Sequence, residues 1–477
     1  MAAQSRLRVG TLTAMLRADQ TLADLPALML RGRLEKAETS APEVAAACLD
    51  RIAAEDGTVG AFAFSDRAHV LAQAEEAEAR RKSGRPIGPL NGIPVAIKDV
   101  IDTEDMPTER GTPLDAGRKP RHSASVVNRL KAAGAVVIGK TVTAELAFLT
   151  PGKTRNPRDK NRTPGGSSSG SAAAVAANMV PLAIGTQTNG SVIRPASFCG
   201  VVGFKPSFGL ISRTGILPLA PPLDTVGVFA RTIEDAALLT DAIAGGEEGD
   251  PDSTFAAAPR LLETALSKPP VKPDFAFVRS PAWDKAAAET KEGFEELAGV
   301  LGERCKAMDL PETYGECFKT LRTIMLAGMA HNLKRYEERG AEQLSPGLRE
   351  ALAEGRSVAA ADYLAALDWR TAAAASLDQA FERYDALITP AAVGEAPLGL
   401  QSTGDPSFCT LWTLAGLPAV TLPLLEGPNG LPVGVQLIGR HGYDGRLLRT
   451  ARWLMDFLAN HDRTNTAADL ATSGGRP

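Results

Sequence analysis

The sequence predicts an α/β fold: a single large domain in which a twisted mixed β-sheet is covered by helices on both faces. Two observations support this prediction. An amphipathic helix pattern over 123–133 ends at Gly134 and leads directly into the apolar strand pattern 135–138. Helices that alternate with buried strands form parallel or mixed sheets. In addition, 44% of the 477 residues are hydrophobic, which is enough for a substantial core.

We expect the domain to occupy 21–465, between an N-terminal tail over 1–20 and a flexible C-terminal tail over 466–477. A proline-rich loop over 102–122 is expected to border a site. Alanine runs and leucine spacing predict helices throughout about 285–384, a region that we expect to vary with the substrate. The main predicted strands are 93–100, 135–138, 182–184, 201–204, 275–278 and 386–388, and the last helix is 446–459.

Composition excludes several classes of function. The formal net charge of -4 gives no basic surface for nucleic acid or an anionic membrane. No apolar run is long enough to span a bilayer, and the first residues lack the apolar core of a signal peptide. The five cysteines form no CxxC pair and the five histidines no metal-binding spacing. We therefore expect a cytoplasmic protein with a small-molecule substrate, without metal or cofactor, and the sequence allows a homodimer.

Two glycine- and serine-rich turns lie close together between Gly165 and Pro206. The first, 165–170, leads into an alanine run that is typical of a helix. The second, 185–191, follows a short apolar strand pattern and ends at Ser191. Glycines allow backbone conformations that other residues avoid, so several N–H groups can converge on one point beside a hydroxyl. That combination is typical of an acyl-transfer site.

This stretch resembles the amidase signature of serine amidohydrolases. Gly88–Asp99 is similar to the lysine-bearing strand of that family, and 415–420 and 430–439 are similar to its C-terminal strands. The resemblance covers roughly 20–460, and so long a signature is far more specific than a short motif. It implies the amidase signature fold and an enzyme that hydrolyses linear amide C–N bonds.

The resemblance also implies a catalytic triad of Lys98, Ser167 and Ser191. Ser191 is expected to be the nucleophile, Ser167 a proton relay on a cis peptide bond, and Lys98 the base. An amide is a poor electrophile, so its hydrolysis needs donors for the oxygen that becomes negative. The residues immediately before the nucleophile supply backbone N–H groups for this oxyanion hole: Thr188, Asn189 and Gly190.

Lys98 interrupts an apolar strand pattern, which predicts that it is buried. Burial disfavours the charged form of a lysine and lowers its pKa, so that a neutral amine can accept a proton. Asp99 would favour the charged form, but strand alternation directs it to the opposite face of the sheet. The alternative is a lysine that protects an edge strand from aggregation.

Two short motifs indicate other enzyme classes. Residues 166–170 fit G-x-S-x-G, the nucleophile elbow of α/β-hydrolases, with Ser168 as the nucleophile. The residues before this motif do not form a strand pattern, and neither His331 nor His441 has a suggestive context. Residues 95–98 match the kinase motif V-A-I-K, but no glycine-rich phosphate loop precedes them. For Ser168 and Ser169, the other interpretation is capping of the helix N-terminus.

Several positions depart from the commonest pattern of the family. Gln187 stands where many members carry Asp, and Asn189 where many carry Gly or Ala. Trp412 and Thr413 stand where relatives often have an aromatic–Asn pair. We expect the substrate to contact Gln187, Arg194 and Trp412. Apolar candidates for a cleft wall are Met325, Leu326, Met329 and Trp412, although helix core is the better explanation of any one of them taken singly.

The predicted reaction is hydrolysis of a neutral, fairly hydrophobic amide through a Ser191 acyl-enzyme. Aryl amides, carbamates (urethanes) and esters share the carbonyl geometry, so esterase and urethanase activity are also expected. The alternative is an amidase-like subunit of a glutamine-dependent amidotransferase, which would release ammonia for a partner enzyme. Gln187 and Asn189 differ from what such subunits usually carry. A non-catalytic binding protein on this fold is a third interpretation.

Overall fold

One sheet of eleven strands forms the centre of this computed structural model, which describes Leu7 and residues 20–254 and 259–473. The predicted tail 1–20 therefore falls almost entirely outside the described residues. The strands are β1 (Phe62–Phe64), β2 (Pro94–Lys98), β3 (Val136–Thr141), β4 (Leu182–Gln187), β5 (Val202–Lys205), β6 (Thr225–Ala230), β7 (Phe275–Arg279), β8 (Cys305–Asp309), β9 (Ala386–Pro390), β10 (Ala419–Glu426) and β11 (Pro432–Ile438).

The sheet is mixed, as the sequence predicts. Its strand order is β1-β3-β2-β4-β6-β5-β10-β11-β9-β7-β8. The β3-β2-β4 and β9-β7-β8 segments are parallel, and the other neighbouring pairs are antiparallel. Strands β2 and β4 pair directly, with Val95 opposite Leu182 and Ile97 opposite Ile184. Because parallel strands end at the same edge of a sheet, Lys98 at the end of β2 comes close to Thr186 near the end of β4.

Helices pack against this sheet, which confirms the predicted fold class. No helix in the described part of the chain combines the length and the apolar character that a bilayer span needs. The helices are α1 (Ala27–Glu35), α2 (Ala41–Val59), α3 (Arg67–Lys82), α4 (Ser125–Ala132), α5 (Ser169–Ala176), α6 (Ile193–Cys199), α7 (Ile233–Ile243), α8 (Leu261–Leu266), α9 (Ala288–Leu301), α10 (Cys317–Asn332), α11 (Lys334–Gly340), α12 (Pro346–Ser357), α13 (Ala360–Asp378), α14 (Ser407–Leu414) and α15 (Asp444–Ser473).

Local signals explain where some helices begin and end. Ser40 caps α2 in a capping box with Glu43, and the helix ends at Gly60, which has a φ of 64°. The Thr232 side chain accepts a hydrogen bond from the Asp235 backbone N–H at the start of α7. Both caps are local signals that the sequence itself carries at the start of a helix.

Some elements differ from the predictions. The region 285–384 is not helical throughout, because β8 adds an edge strand beside β7. The charged residues of β8, Lys306 and Asp309, are three positions apart, so its five residues show no period-2 pattern. Strands β1 and β6 and helix α6 were also not predicted. Helix α15 continues to Ser473, well into the segment 466–477 that was expected to be a flexible tail; 474–477 lie outside the described residues.

Candidate active site

Lys98 is the last residue of β2, and its side chain is fully buried. Its Nζ lies 2.8 Å from Ser167 Oγ and 2.8 Å from Thr186 Oγ1. The next residue, Asp99, faces away from this group as strand alternation predicts, and its Oδ1 lies 3.1 Å from Lys140 Nζ. Lys98 is therefore a buried lysine surrounded by hydroxyls, and not an edge-strand lysine.

The environment of Lys98 favours the neutral amine. Burial lowers the pKa of its ammonium to about 7, and the negative charge of Asp224 opposes this effect. A neutral amine can donate hydrogen bonds to Thr186 and accept one from the Ser167 hydroxyl. The geometry is therefore that of a base with an attached hydroxyl relay.

Ser167 lies between α5 and Lys98. The peptide bond between Gly166 and Ser167 is cis. The Ser167 side chain is buried, and its backbone carbonyl accepts a hydrogen bond of 3.0 Å from the Ala144 N–H. The structure thus brings together two of the three predicted triad residues, Lys98 and Ser167, in direct contact.

The neighbouring serines have structural partners in the sheet. Ser168 Oγ donates to Thr186 O at 3.1 Å, and Ser169 Oγ donates to Val142 O at 3.3 Å. Neither hydroxyl caps α5, so the expectation of N-capping is wrong. The reason is that β3 and β4 pass close enough to offer carbonyl acceptors. Ser168 is fully buried, which also excludes it as an exposed nucleophile of the α/β-hydrolase type.

Ser191 occupies the turn between β4 and α6 and is half-buried. It lines a cavity together with Thr188, Asn189 and Gly190. Its hydroxyl makes no hydrogen bond to the described residues, so the Ser167–Ser191 link of the predicted relay is not formed in this structure. Arg194 connects the two turns, because its Nη2 donates to Gly166 O at 2.7 Å.

The Gln187 side chain holds the turn that contains Ser191 by hydrogen bonds to the two residues after that serine. Its Oε1 accepts hydrogen bonds from the N–H groups of Val192 (2.8 Å) and Ile193 (3.0 Å), and its Nε2 donates to Thr413 Oγ1. An amide oxygen here therefore performs the acceptor role that a carboxylate would have. Only 1% of Gln187 is exposed and it does not line the cavity, so the prediction that it contacts substrate is wrong.

Asp224 supports the same turn from the other side, a role that sequence reasoning missed. Its Oδ1 accepts a hydrogen bond of 2.6 Å from Thr188 Oγ1, and its Oδ2 accepts from the N–H groups of Leu219 and Ala220. Burial raises the pKa of this carboxyl group, and these hydrogen bonds oppose the rise. An acidic residue in the otherwise apolar loop 215–224 was the available signal.

The sequence predicts that Arg194 contacts the substrate. In the structure Arg194 is buried and lines the cavity. Its Nη2 contacts Gly166 O and, at 3.1 Å, Thr403 Oγ1. Its Nε and Nη1 have no hydrogen-bond partner in the part of the chain that the structure describes. Burial lowers the pKa of this guanidinium to about 10, so it remains charged at neutral pH.

The cavity beside Ser191 has a volume of about 390 Å³ and mostly apolar walls. Among the described residues that line it, Arg194 and Arg322 are the charged ones, and there is no carboxylate. The apolar lining residues are Ala147, Phe148, Leu149, Leu219, Phe318, Leu321 and Met325.

Part of the predicted pocket wall is correct. Helix α10, within the predicted region 285–384, contributes one side of the cavity, including Met325. The loop 102–122 instead borders a separate cavity, and residues 401–406 take its place beside Ser191. Three cleft candidates belong to the hydrophobic core, where the helix-core interpretation placed them: Leu326, Met329 and Trp412. Trp412 is therefore not a substrate contact in this structure.

No group of three or more His, Cys, Asp or Glu side chains in the described residues is arranged to hold a metal ion. The free thiols of Cys48, Cys199 and Cys409 are buried, and burial raises the pKa of each to about 12. A thiol with so high a pKa is a poor nucleophile. The hydroxyl of Ser191 is the candidate nucleophile that faces the cavity.

Comparison with known proteins gives the same family as the sequence resemblance. The amidase family model matches residues 43–448. A glutamyl-tRNA(Gln) amidotransferase subunit of Symbiobacterium thermophilum is 36% identical, over 92% of this chain and 97% of that protein. The corresponding subunit of Chloroflexus aurantiacus is similar at 35% identity, over 87% of this chain and 93% of that protein.

Solved structures agree with this assignment. Peptide amidase from Stenotrophomonas maltophilia superposes with a TM-score of 0.79 at 31% identity, over 93% of this chain and 97% of that one. A second structure is a chain of a vestigial protein complex that is described as revealing the evolutionary origins of an s-triazine catabolic enzyme. It superposes with a TM-score of 0.85 at 29% identity, over 91% of this chain and 98% of that one. The matched region includes both serine-rich turns and the lysine-bearing strand, and the chain belongs to the amidase signature family.

Proposed function

We propose that this protein hydrolyses an amide C–N bond through an acyl-enzyme on Ser191. The observation that carries the proposal is the contact of 2.8 Å between Lys98 Nζ and Ser167 Oγ. Burial lowers the pKa of this lysine to about 7. A neutral amine on a serine hydroxyl is of little use to a purely structural core, but it is a base with a relay.

The proposed chemistry begins with proton transfer. Lys98 accepts the Ser167 proton, Ser167 accepts the Ser191 proton, and Ser191 Oγ forms a bond to the substrate carbonyl carbon. Protons return along the same path to the leaving nitrogen as the C–N bond breaks. Water then repeats the sequence on the acyl-enzyme, which releases the carboxylic acid and regenerates Ser191. The link from Ser191 to Ser167 has to form when substrate binds.

The oxyanion is proposed to lie on the backbone N–H groups of the turn before Ser191, namely those of Thr188, Asn189 and Gly190. Two side chains hold this turn rigid: Asp224 binds the Thr188 hydroxyl, and Thr413 Oγ1 donates to Asn189 O at 2.6 Å. Donors that are held before the reaction cost no reorganisation when charge develops, which is the main way in which such sites accelerate acyl transfer.

The cavity supports a neutral, fairly hydrophobic substrate. Its walls are largely apolar, so an aryl or alkyl group gains about 25 cal/mol per Å² of buried apolar surface. Esters and carbamates place the same carbonyl on the same donors, and we propose that they are also hydrolysed. Carbamates would make the protein a urethanase, although amides remain the principal proposal.

A second candidate function is glutamine hydrolysis as the amidase-like member of an amidotransferase that has protein partners. The full-length similarity to glutamyl-tRNA(Gln) amidotransferase subunits favours it. The cavity opposes it, because glutamine carries an α-ammonium group and the described lining has no carboxylate to receive that charge. The two arginines could receive only the α-carboxylate.

One experiment separates the two functions. The purified chain is assayed alone against an aromatic anilide, an aryl ester, an aryl carbamate and glutamine. We expect turnover of the anilide, ester and carbamate, with glutamine at least about a hundredfold poorer in kcat/KM. Glutaminase activity that appears only with a copurifying protein partner would support the amidotransferase function instead. Labelling by a fluorophosphonate, followed by peptide mapping, should identify Ser191.

A further inference from the structure

The Asn189 side chain lies beside the candidate nucleophile and has one unused end. Its Oδ1 accepts a hydrogen bond of 3.0 Å from Thr410 Oγ1. Its Nδ2 donates to no residue that the structure describes. Asn189, Thr410 and Ser191 line the same cavity. A half-buried amide N–H₂ at an apolar wall is a donor without an acceptor, and such a donor is available to a ligand.

The Thr410 hydroxyl determines which end of the amide faces the cavity. Two acceptors are within reach of this hydroxyl, Asn189 Oδ1 at 3.0 Å and Pro406 O at 3.4 Å. A hydroxyl has a single proton, and the shorter contact receives it. Asn189 Oδ1 is therefore held by Thr410, and Nδ2 points away from it. Thr413 holds the backbone carbonyl of the same residue, so the donor is fixed in position.

We propose that Asn189 Nδ2 donates a hydrogen bond to a second carbonyl oxygen on the acyl side of the substrate, which makes Asn189 a specificity-determining residue. This inference rests on the proposed function, since it takes Ser191 as the nucleophile next to Asn189. The substrate class is then a neutral amide whose acyl group carries another carbonyl near the scissile one, as in a 3-oxoacyl amide.

The surroundings of Asn189 explain why this donor would discriminate. The walls around it are largely apolar, so a second carbonyl that found no donor there would lose its hydrogen bonds to water without replacement. A purely hydrocarbon acyl group would in turn leave Asn189 Nδ2 unpaired in the complex. Arg194 does not take this role, because both contacts of its Nη2 hold the protein loops and its unpaired Nε and Nη1 have almost no exposed surface.

The test uses two substrates of equal chain length, 3-oxobutanoyl and butanoyl p-nitroanilide, which differ only by C=O in place of CH₂. In the unaltered enzyme we expect kcat/KM to favour the oxo substrate by about tenfold, the effect of one hydrogen bond. Asn189→Ala should bring this ratio to about one. Asn189→Asp should bring it below one, because a carboxylate repels the second carbonyl.

Two threonine variants complete the test. Thr410→Val releases the amide and should lower the ratio about threefold, since Nδ2 is then no longer fixed. Thr371→Val is the control for loss of a helical threonine hydroxyl: Thr371 Oγ1 donates to Leu367 O at 3.1 Å on α13, and Thr371 does not line the cavity. It should leave the ratio unchanged.

The outcomes are distinguishable. If Asn189→Ala lowers kcat/KM equally for both substrates, Asn189 only supports the turn and the assignment is overturned. A ratio near one in the unaltered enzyme overturns it as well. If neither anilide is hydrolysed and fluorophosphonate does not label Ser191, the proposed function fails, and this assignment fails with it. The rate of Ser191 labelling in Asn189→Ala shows independently whether the site is folded.

Discussion

Lys98 and Lys140 are both fully buried, on the neighbouring strands β2 and β3, yet they differ in whether a carboxylate is in direct contact. Hydroxyls are common to both, since Lys140 Nζ donates to Thr108 Oγ1 at 2.6 Å. Lys98 contacts the hydroxyls of Ser167 and Thr186. Lys140 forms an ion pair of 3.1 Å with Asp99. Burial lowers the pKa of both lysines, and a carboxylate opposes the effect at each: Asp224 acts on Lys98 by its charge, whereas Asp99 acts on Lys140 by its charge and by direct contact. A buried lysine becomes a base beside hydroxyls and remains one half of an ion pair beside a carboxylate.

Lys205 shows that a lowered pKa alone does not make a catalytic base. Burial lowers the pKa of Lys205 to about 7 as well, and its Nζ donates to Leu417 O at 2.6 Å and Pro206 O at 3.1 Å. Its partners are carbonyls, which have no proton to give, and it does not line the cavity beside Ser191. Lys98 differs because Ser167 can transfer a proton.

The largest effect on activity should come from removing the proposed nucleophile, Ser191. Ser191→Ala is expected to lower kcat for amides by on the order of a millionfold, because it removes the hydroxyl that is proposed to attack the carbonyl. The thermal midpoint should change little, since the Ser191 side chain makes no hydrogen bond in the described structure. Steady-state kinetics and calorimetry check both statements, and stoichiometric labelling of Ser168 would contradict them.

Removing the base should distinguish substrates by their leaving group. Lys98→Met is expected to lower amide turnover by about a thousandfold and turnover of an aryl ester by much less, because an aryloxide needs less protonation than an amine. Parallel kcat measurements on an anilide and the matching aryl ester check this. Equal losses on the two substrates would mean that Lys98 only positions Ser167.

The corresponding substitution of Lys140, on the other face of the sheet, should lower the stability of the fold. Lys140→Met leaves the buried Asp99 carboxylate without its counter-ion and should cost about 3–5 kcal/mol of unfolding free energy. Denaturant unfolding of Lys140→Met and Lys98→Met measures the contrast, with the larger loss expected for Lys140. Adding Asp99→Asn should recover part of that loss. A similar loss in both single variants would remove the distinction between the two lysines.

The smallest effect is the pH dependence of Lys98. Because only the neutral amine accepts a proton and its pKa is about 7, kcat/KM should fall about tenfold per pH unit below that value and level off above it. Asp224→Asn removes the charge that raises this pKa, so the profile should move to lower pH. A profile that does not move would show that the charge of Asp224 does not influence the pKa of Lys98.

Much of this arrangement was predictable from local sequence. An apolar strand around Lys98, the separation of Asp99 to the other face and the turn that ends at Ser191 all follow from alternation and glycine content. Short polar segments were not predictable: β8 has no clear period, and the support of the turn by Asp224 is a contact across 36 residues of chain. Gln187 was interpreted as a substrate contact because a sequence does not show which way a side chain points at the end of a strand.

By itself, the sequence determined the mixed sheet and the family and led to the proposal of Lys98, Ser167 and Ser191 as the reacting residues, because periodicity and a long signature are local properties of the chain. Only the tertiary structure decided the rest. Both lysines are buried, and the carboxylate in direct contact with Lys140 is what separates it from Lys98; these contacts depend on which strands pair. The cavity wall likewise comes from α10 and residues 401–406 and not from the loop 102–122. Such contacts join residues far apart in sequence, and no local pattern encodes them.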